Sequence, residues 1–246
     1  MLTKTFFHCP LWQWLILTIS IIILSWISLV HFSAPDIETF ISLKTPDIIP
    51  LETILSTANN GDLIFLAGTT FTERSIRRWH CSYVNHCALV FRDIDEDTGL
   101  DTPFLFESDV GQHYRDGPRV IRLKDKLEKW KGLRYGILKR YITPDDRPST
   151  KNILNIAQNI ILRQGTGMDK NMMSWFFSDY PNSRFYKFFK PENTLFCSEL
   201  VAKVLQTLGI LAKDRHESNY TPEDFIKGNI TLNKGVHGVN IYFKIS

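Results

Sequence analysis

The chain has 246 residues, 43% of them apolar and 22% charged, a balance that excludes a disordered, collagenous or disulfide-packed protein. Its 29 basic and 26 acidic side chains leave a net charge of +3, too slight for a nucleic-acid partner to be expected. The cysteines Cys9, Cys81, Cys87 and Cys197 are too few and too unevenly spread to staple the chain, so each thiol is weighed singly.

After a short tail, residues 1–10, the segment 11–32 runs LWQWLILTISIIILSWISLVHF without one Asp, Glu, Lys or Arg. A bilayer core of about 30 Å needs about 20 such residues. Trp12, Trp14 and Trp26 stand toward its ends, where amphipathic rings favour the headgroup layer. The run is longer than a signal-peptide core, and Ser33-Ala34 is followed by Pro35. A single-pass, uncleaved N-terminal signal anchor over 11–32, and hence a membrane location, is therefore expected. Lys4 before the span and Asp36 and Glu38 after it favour the amino terminus inside. Residues 33–49, with prolines and no strong period, read as a stalk, and 50–246 as one domain.

Short apolar strands are expected at Asp62–Leu66, Ala88–Phe91 and Phe104–Phe106, with weaker ones at Val120–Leu123 and Tyr135–Leu138 around a short helix Asp125–Trp130. An amphipathic helix is expected over Ser149–Arg163. A second, Cys197–Leu208, carries Leu200, Val201, Val204, Leu205 and Leu208 on one stripe and stops at Gly209. Thr221-Pro222-Glu223-Asp224 opens a further short helix with a Thr cap and Pro at its first position. Val239–Ile245 alternates like a closing strand. The fold class is α+β, an antiparallel sheet packed against helices.

Cys197 begins the second helix, where free backbone N–H groups and the helix dipole favour an anion. A thiol so placed ionises more easily, and the thiolate is the nucleophile of acyl transfer. Its plain alternative is a small buried hydrophobe. A base is needed, from His80, His86, His113, His216 or His237. His86 is best placed, at the mouth of a strand, and Glu107 ends another strand where a carboxylate can hold an imidazole tautomer.

The segments Gly61-Asp62-Leu63-Ile64-Phe65, Ser82-Tyr83-Val84-Asn85-His86-Cys87-Ala88-Leu89-Val90, Phe106-Glu107-Ser108, Phe196-Cys197-Ser198-Glu199-Leu200-Val201 and Thr221-Pro222-Glu223-Asp224-Phe225, in that order, resemble the circularly permuted NlpC-type cysteine hydrolases. That family includes YiiX-like bacterial proteins, poxvirus relatives and, more distantly, lecithin-retinol acyltransferases. The resemblance covers residues 50–226. It implies a permuted papain-like fold with Cys197 as nucleophile, His86 as base and Glu107 as its orienting partner, with no cofactor or metal. Gly165-Thr166-Gly167-Met168-Asp169 lacks the Pro and Tyr of the family's stretch before the cysteine. The aromatic-rich insertion 171–193 that follows reads as a membrane-facing lip or as a hydrophobic subcore.

The expected function is thiol hydrolysis of an amide bond in a peptide-like substrate. Lipid acyl transfer or phospholipid hydrolysis at the membrane, on an ester substrate, is the second reading, and a catalytically idle tethered domain the third. Zinc on His80, Cys81, His86 and Cys87 is disfavoured, because adjacent strand residues point to opposite faces. Arg74, Arg77 and Arg78 form a basic cluster, read as a solvated face.

Overall fold

The computed structural model describes residues 11–33, 36–44, 47–109, 116–130, 134–163, 167–168, 193–235 and 237–245. His113 and, apart from Asn193, the aromatic insertion lie outside them.

Helix α1 (Leu11–Ser33) forms where the anchor is expected, and its described apolar side chains, Trp14 to Leu29, are largely exposed. Among the described residues no helix is long and apolar enough to cross a membrane, so the fold itself does not establish the expected span. The ring of Trp26 meets Trp79 edge-on at 6.3 Å, seating α1 against α4 (Phe71–Trp79). The segment read as a stalk instead holds α2 (Ile37–Lys44) and β1 (Ile48–Pro50). Ile37 and Ile41, one helical turn apart, are buried in the domain core, which is why a segment with no long apolar period is nonetheless packed.

Seven strands form one sheet in the order β1-β9-β6-β2-β3-β4-β5. They are β2 (Leu63–Leu66), β3 (His86–Ile94), β4 (Asp101–Asp109), β5 (Gly117–Arg122), β6 (Tyr135–Lys139) and β9 (Asn240–Lys244), beside β1. All neighbours are antiparallel except β1 and β9. Central β2 is buried at every residue, because helices cover both faces of the sheet, and so it reads as a continuous apolar run rather than an alternation.

One face carries the larger core. There α6 (Thr150–Gln158), α7 (Cys197–Thr207) and α8 (Pro222–Lys227) place Ile153, Leu200, Val204 and Phe225 against Leu63, Phe65, Leu89 and Phe91. On the other face α3 (Leu51–Thr57) and α5 (Leu123–Lys129) bring Ile54, Leu123 and Leu127 onto Ile64, Leu66, Ala88, Val90 and Leu105. The central strands β2 and β3 therefore have two buried faces, and β3 alternates between them. Past Gln158 the expected single helix continues as a π-helical turn, Asn159–Arg163.

The local punctuation follows the sequence. Thr221 caps α8 by accepting from the Asp224 N–H at 3.3 Å, while the Asp224 carboxylate accepts from the Thr221 N–H at 2.8 Å. Gly209 sits at φ 68 and closes α7, a conformation that glycine reaches without Cβ strain. Two short strands, β7 (Gly167–Met168) and β8 (Thr194–Leu195), pair in parallel and lead the chain into α7.

Candidate active site

β3 pairs with β2 as far as Leu66 and His86, but its ladder with β4 stops at Leu89 and Phe106. Beyond that point β4 remains paired to β5, Glu107 opposite Arg119 and Asp109 opposite Gly117. The backbone of β3 from His86 to Ala88 is thus outside the β4 ladder, and the chain entering α7 comes in there. Ser108 of β4 donates its hydroxyl to the Leu195 carbonyl at 2.6 Å, and the Cys87 backbone N–H of β3 helps to lower the Cys197 thiol. The Cys197 thiol also lies 3.7 Å from the Asn85 carbonyl oxygen.

This opening explains how residues from two faces of the sheet meet. Cys197 and Cys87 belong to the core under α7. His86 and Glu107 alternate to the other face, beside Ala88 and Leu105. They meet at the end of β3, where no ladder separates the faces.

His86 Nε2 lies 2.8 Å from Glu107 Oε2, and both residues are buried. With Nε2 so engaged, Nδ1 is the ring nitrogen left for Cys197, whose presence helps to raise the imidazole. Trp130 meets the imidazole edge-on at 5.2 Å. Glu107 is held in turn by Arg119, whose Nε and Nη2 donate to Oε1 at 2.9 and 2.7 Å, and by Lys126 Nζ at 3.0 Å. Lys126 also donates to Asp109 at 2.5 Å, and its ammonium stands 4.1 Å from the Trp130 ring centre.

The charges follow from these contacts. Burial pulls the His86 pKa down, as does Lys126, but Asp109 and the hydrogen bonds with Cys197 and Glu107 outweigh them and push it up to about 10. Burial raises the Glu107 carboxyl, yet the His86 hydrogen bond and the Lys126, His86 and Arg119 charges hold it well below the usual carboxylate range. For Cys197 the largest influence is a hydrogen bond from the Cys87 side chain. Burial opposes it, and His86 with the Cys87 N–H completes a drop well below the ordinary thiol value. Burial and the neighbouring Cys197 push the Cys87 thiol up. His86, Lys126 and Arg119 thus stand against Glu107, Asp109 and the Cys197 sulfur in one cluster.

Cys197 is the first residue of α7, so its backbone N–H has no acceptor within the helix. The loop leading into His86 is anchored from the far end of the chain, because Ser82 donates to the buried Glu223 carboxylate at 2.6 Å and accepts from the Val84 N–H at 3.1 Å. The Asn85 side chain takes the Gly68 N–H at 2.7 Å.

The structure therefore brings Cys197, His86 and Glu107 together. The other described histidines serve elsewhere: His80 ends α4, His216 caps a turn at Ser218, and His237 meets Tyr141 edge-on. Of the basic cluster, Arg77 is buried rather than solvated. Asp109, Arg119, Lys126 and Cys87 are the members that sequence reasoning missed. Arg119 and Lys126 become visible only once the register of β4 on β5 and the approach of α5 are known.

Among the described residues, His86, Glu107 and Asp109 are the group whose ligand atoms lie close enough to share a metal ion, within 4.8 Å of one another. His80 and Cys81 do not join it. Lys126 and Arg119 already neutralise both carboxylates, so a dication would have to displace an ammonium and a guanidinium.

No protein-family model matches the chain, and no curated protein matches it. Among solved structures, the metalloprotein YiiX of Escherichia coli O157:H7 is similar at 17% identity and a TM-score of 0.40, over 73% of this chain and 88% of that one. This is a distant YiiX-like relationship and carries nothing finer about fold or chemistry.

Proposed function

We propose that this chain is a thiol hydrolase that cleaves an amide or ester through Cys197, His86 and Glu107, in a domain of permuted papain-like type. The observation that carries the reading is the meeting, at the unpaired end of β3, of a helix-start cysteine with an imidazole whose Nε2 lies 2.8 Å from a buried carboxylate. The Cys197 thiolate attacks the carbonyl carbon, forming a carbon–sulfur bond while the carbonyl electron pair moves to oxygen. The Cys197 N–H faces that oxyanion. The tetrahedral species collapses as His86 gives its proton to the leaving nitrogen or oxygen, and the acyl group remains on sulfur. Water, or another acceptor, then attacks the thioester while His86 takes its proton, releasing the acyl product and restoring the thiolate–imidazolium pair. Glu107 stays ionised throughout, holding the ring orientation.

An N-terminal membrane anchor at α1 belongs to the same proposal. It is supported by the uncharged run 11–32 and by the exposed apolar side chains of that helix between Trp14 and Leu24. Such an anchor would set the domain beside lipid substrates, which makes lipid acyl chemistry the second reading.

The test is alkylation of the full-length protein with a mild thiol reagent across pH, followed by a screen of amide and lipid-ester substrates. Cys197 labelling well below pH ~8.5, the unperturbed thiol value, with a profile altered in His86→Ala, is expected. Turnover persisting in Cys197→Ala would overturn the nucleophile. Release of the full chain from membranes by alkaline carbonate would overturn the anchor.

A further inference from the structure

The chain leaves the sheet for α4 and returns from it at the candidate site. The strand before α4 ends at Leu66, the strand after it begins at His86, and these two residues pair across β2 and β3. Asn85, just ahead of His86, donates its N–H to the Leu66 carbonyl at 3.1 Å, and its own carbonyl oxygen lies 3.7 Å from the Cys197 thiol. A surface on which α4 rests therefore lies beside the sheet end where Cys197 and His86 meet.

The charge of α4 and its neighbour point to that surface. The helix holds Arg74, Arg77 and Arg78 against one acid, Glu73, and that acid is engaged at the cap, where its Oε2 accepts the Thr70 N–H at 2.7 Å. Arg77 is turned inward, where burial opposes its charge and Asp36 favours it. The cations left toward the outside are the half-buried Arg74 and Arg78, one helical turn apart. Phe71 and Trp79, at the two ends of the helix, are 47% and 48% exposed. Trp79 also meets Trp26 of α1 at 6.3 Å. Trp26 stands near the domain end of the uncharged run 11–32, about 9 Å from it at the rise of a helix. In a spanning α1 this is the level at which aromatic rings and cations favour the headgroup layer.

Resting on the anchor reading above, we propose that α4 is an interfacial helix that lies on an anionic bilayer. Phe71 and Trp79 enter the headgroup layer, Arg74 and Arg78 take lipid phosphates, and the sheet end that carries His86 is held against the membrane beside Cys197. A neutral bilayer offers the rings the same layer but gives the arginines no net charge, so the docking depends on anionic lipid and weakens with salt.

The experiment is hydroxyl-radical footprinting of the full-length protein, read by peptide-resolved mass spectrometry, in vesicles of phosphatidylcholine alone and with about one-third phosphatidylserine. Phe71 labelling is expected to fall about fivefold or more with the anionic lipid, the weight of one arginine at such a surface. It is expected to recover at about 1 M salt, where charges are screened within about 3 Å. In the double variant Arg74→Gln, Arg78→Gln the protection on anionic vesicles should be lost, with labelling on neutral vesicles unchanged. Equal Phe71 labelling on both vesicles, or protection indifferent to salt, overturns the docking, and the salt series on the unsubstituted protein decides the matter should the variant unfold. Phe71 already protected in detergent, without a bilayer, would assign its cover to another copy of the chain and overturn it too. Trp14 separates this proposal from the one beneath it: Trp14 protected on both vesicles while Phe71 stays labelled overturns the docking alone, whereas Trp14 labelled on both overturns the anchor.

Discussion

The Ser108 hydroxyl donates to the Leu195 carbonyl at 2.6 Å, joining the residue after Glu107 to the residue two before Cys197. This buried hydrogen bond ties the strand that carries the acid to the segment leading into the helix that carries the thiol. Ser108→Ala leaves the carbonyl without that donor and should cost about 1–3 kcal/mol. Chemical denaturation measures the loss, and Cys197 alkylation should slow in the variant. A Ser108→Ala protein of unchanged stability and labelling rate would show that α7 is placed by other contacts.

Lys126 sits between Glu107 and Asp109 with its ammonium almost fully buried. Removing one partner of a buried charged set leaves the others uncompensated, so Lys126→Met should destabilise the domain by about 3–5 kcal/mol. Because Lys126 also lowers the His86 pKa, its loss should raise that pKa further, which NMR titration of the imidazole would reveal.

The pH dependence has two opposite arms. His86 is raised in the folded state to about 10 from an ordinary 6.5, so its stabilisation is fully present below the ordinary value and is lost as pH rises through about 10. Cys197 and Glu107 are lowered, so theirs is present above their ordinary values and lost as pH falls through the depressed ones. Denaturation midpoints measured across pH should therefore decline on the alkaline side in the unsubstituted protein. In His86→Ala this alkaline decline should be smaller. Equal alkaline slopes in both proteins would place the responsible titration elsewhere.

Glu223 accepts from Ser82 in the buried link between α8 and the loop before His86. Glu223→Ala should cost about 1–3 kcal/mol through the unsatisfied hydroxyl and the freed loop. Hydrogen exchange of the amides from Ser82 to Asn85 should accelerate in the variant. Protection unchanged along that loop would assign its order to Asn85 and Gly68 instead.

What could be read from the chain, and what could not, follows from the range of the forces involved. Caps, stops and stripes are local, so Thr221, Gly209 and the apolar face of α7 announced themselves. Of the three residues brought together at the site, His86 and Cys197 stood at element ends, where periodicity breaks, and Glu107 is a polar residue interrupting an apolar run two residues before its strand ends. Arg119, Lys126 and Asp109 gave no such signal, because an ion pair across strands depends on register, and register depends on loops whose closure no periodicity encodes. Cys87 was read as packing behind the strand. That is right for its direction, but the position of the second sulfur depended on where α7 enters. The α2 segment was misread because two buried isoleucines are too few to mark a period.

β9, the last strand of the chain, does not close the sheet at an edge: it lies between β1 and β6. Cys197 likewise comes from the closing part of the chain, whereas His86 and Glu107 belong to one early hairpin. The His86–Glu107 pair can therefore form within one hairpin, whereas the cysteine and β9 must be brought in from far along the chain at a higher loop-closure cost. Until β9 docks, β1 and β6 keep open strand edges inside the sheet, the state most prone to pairing with a neighbouring chain.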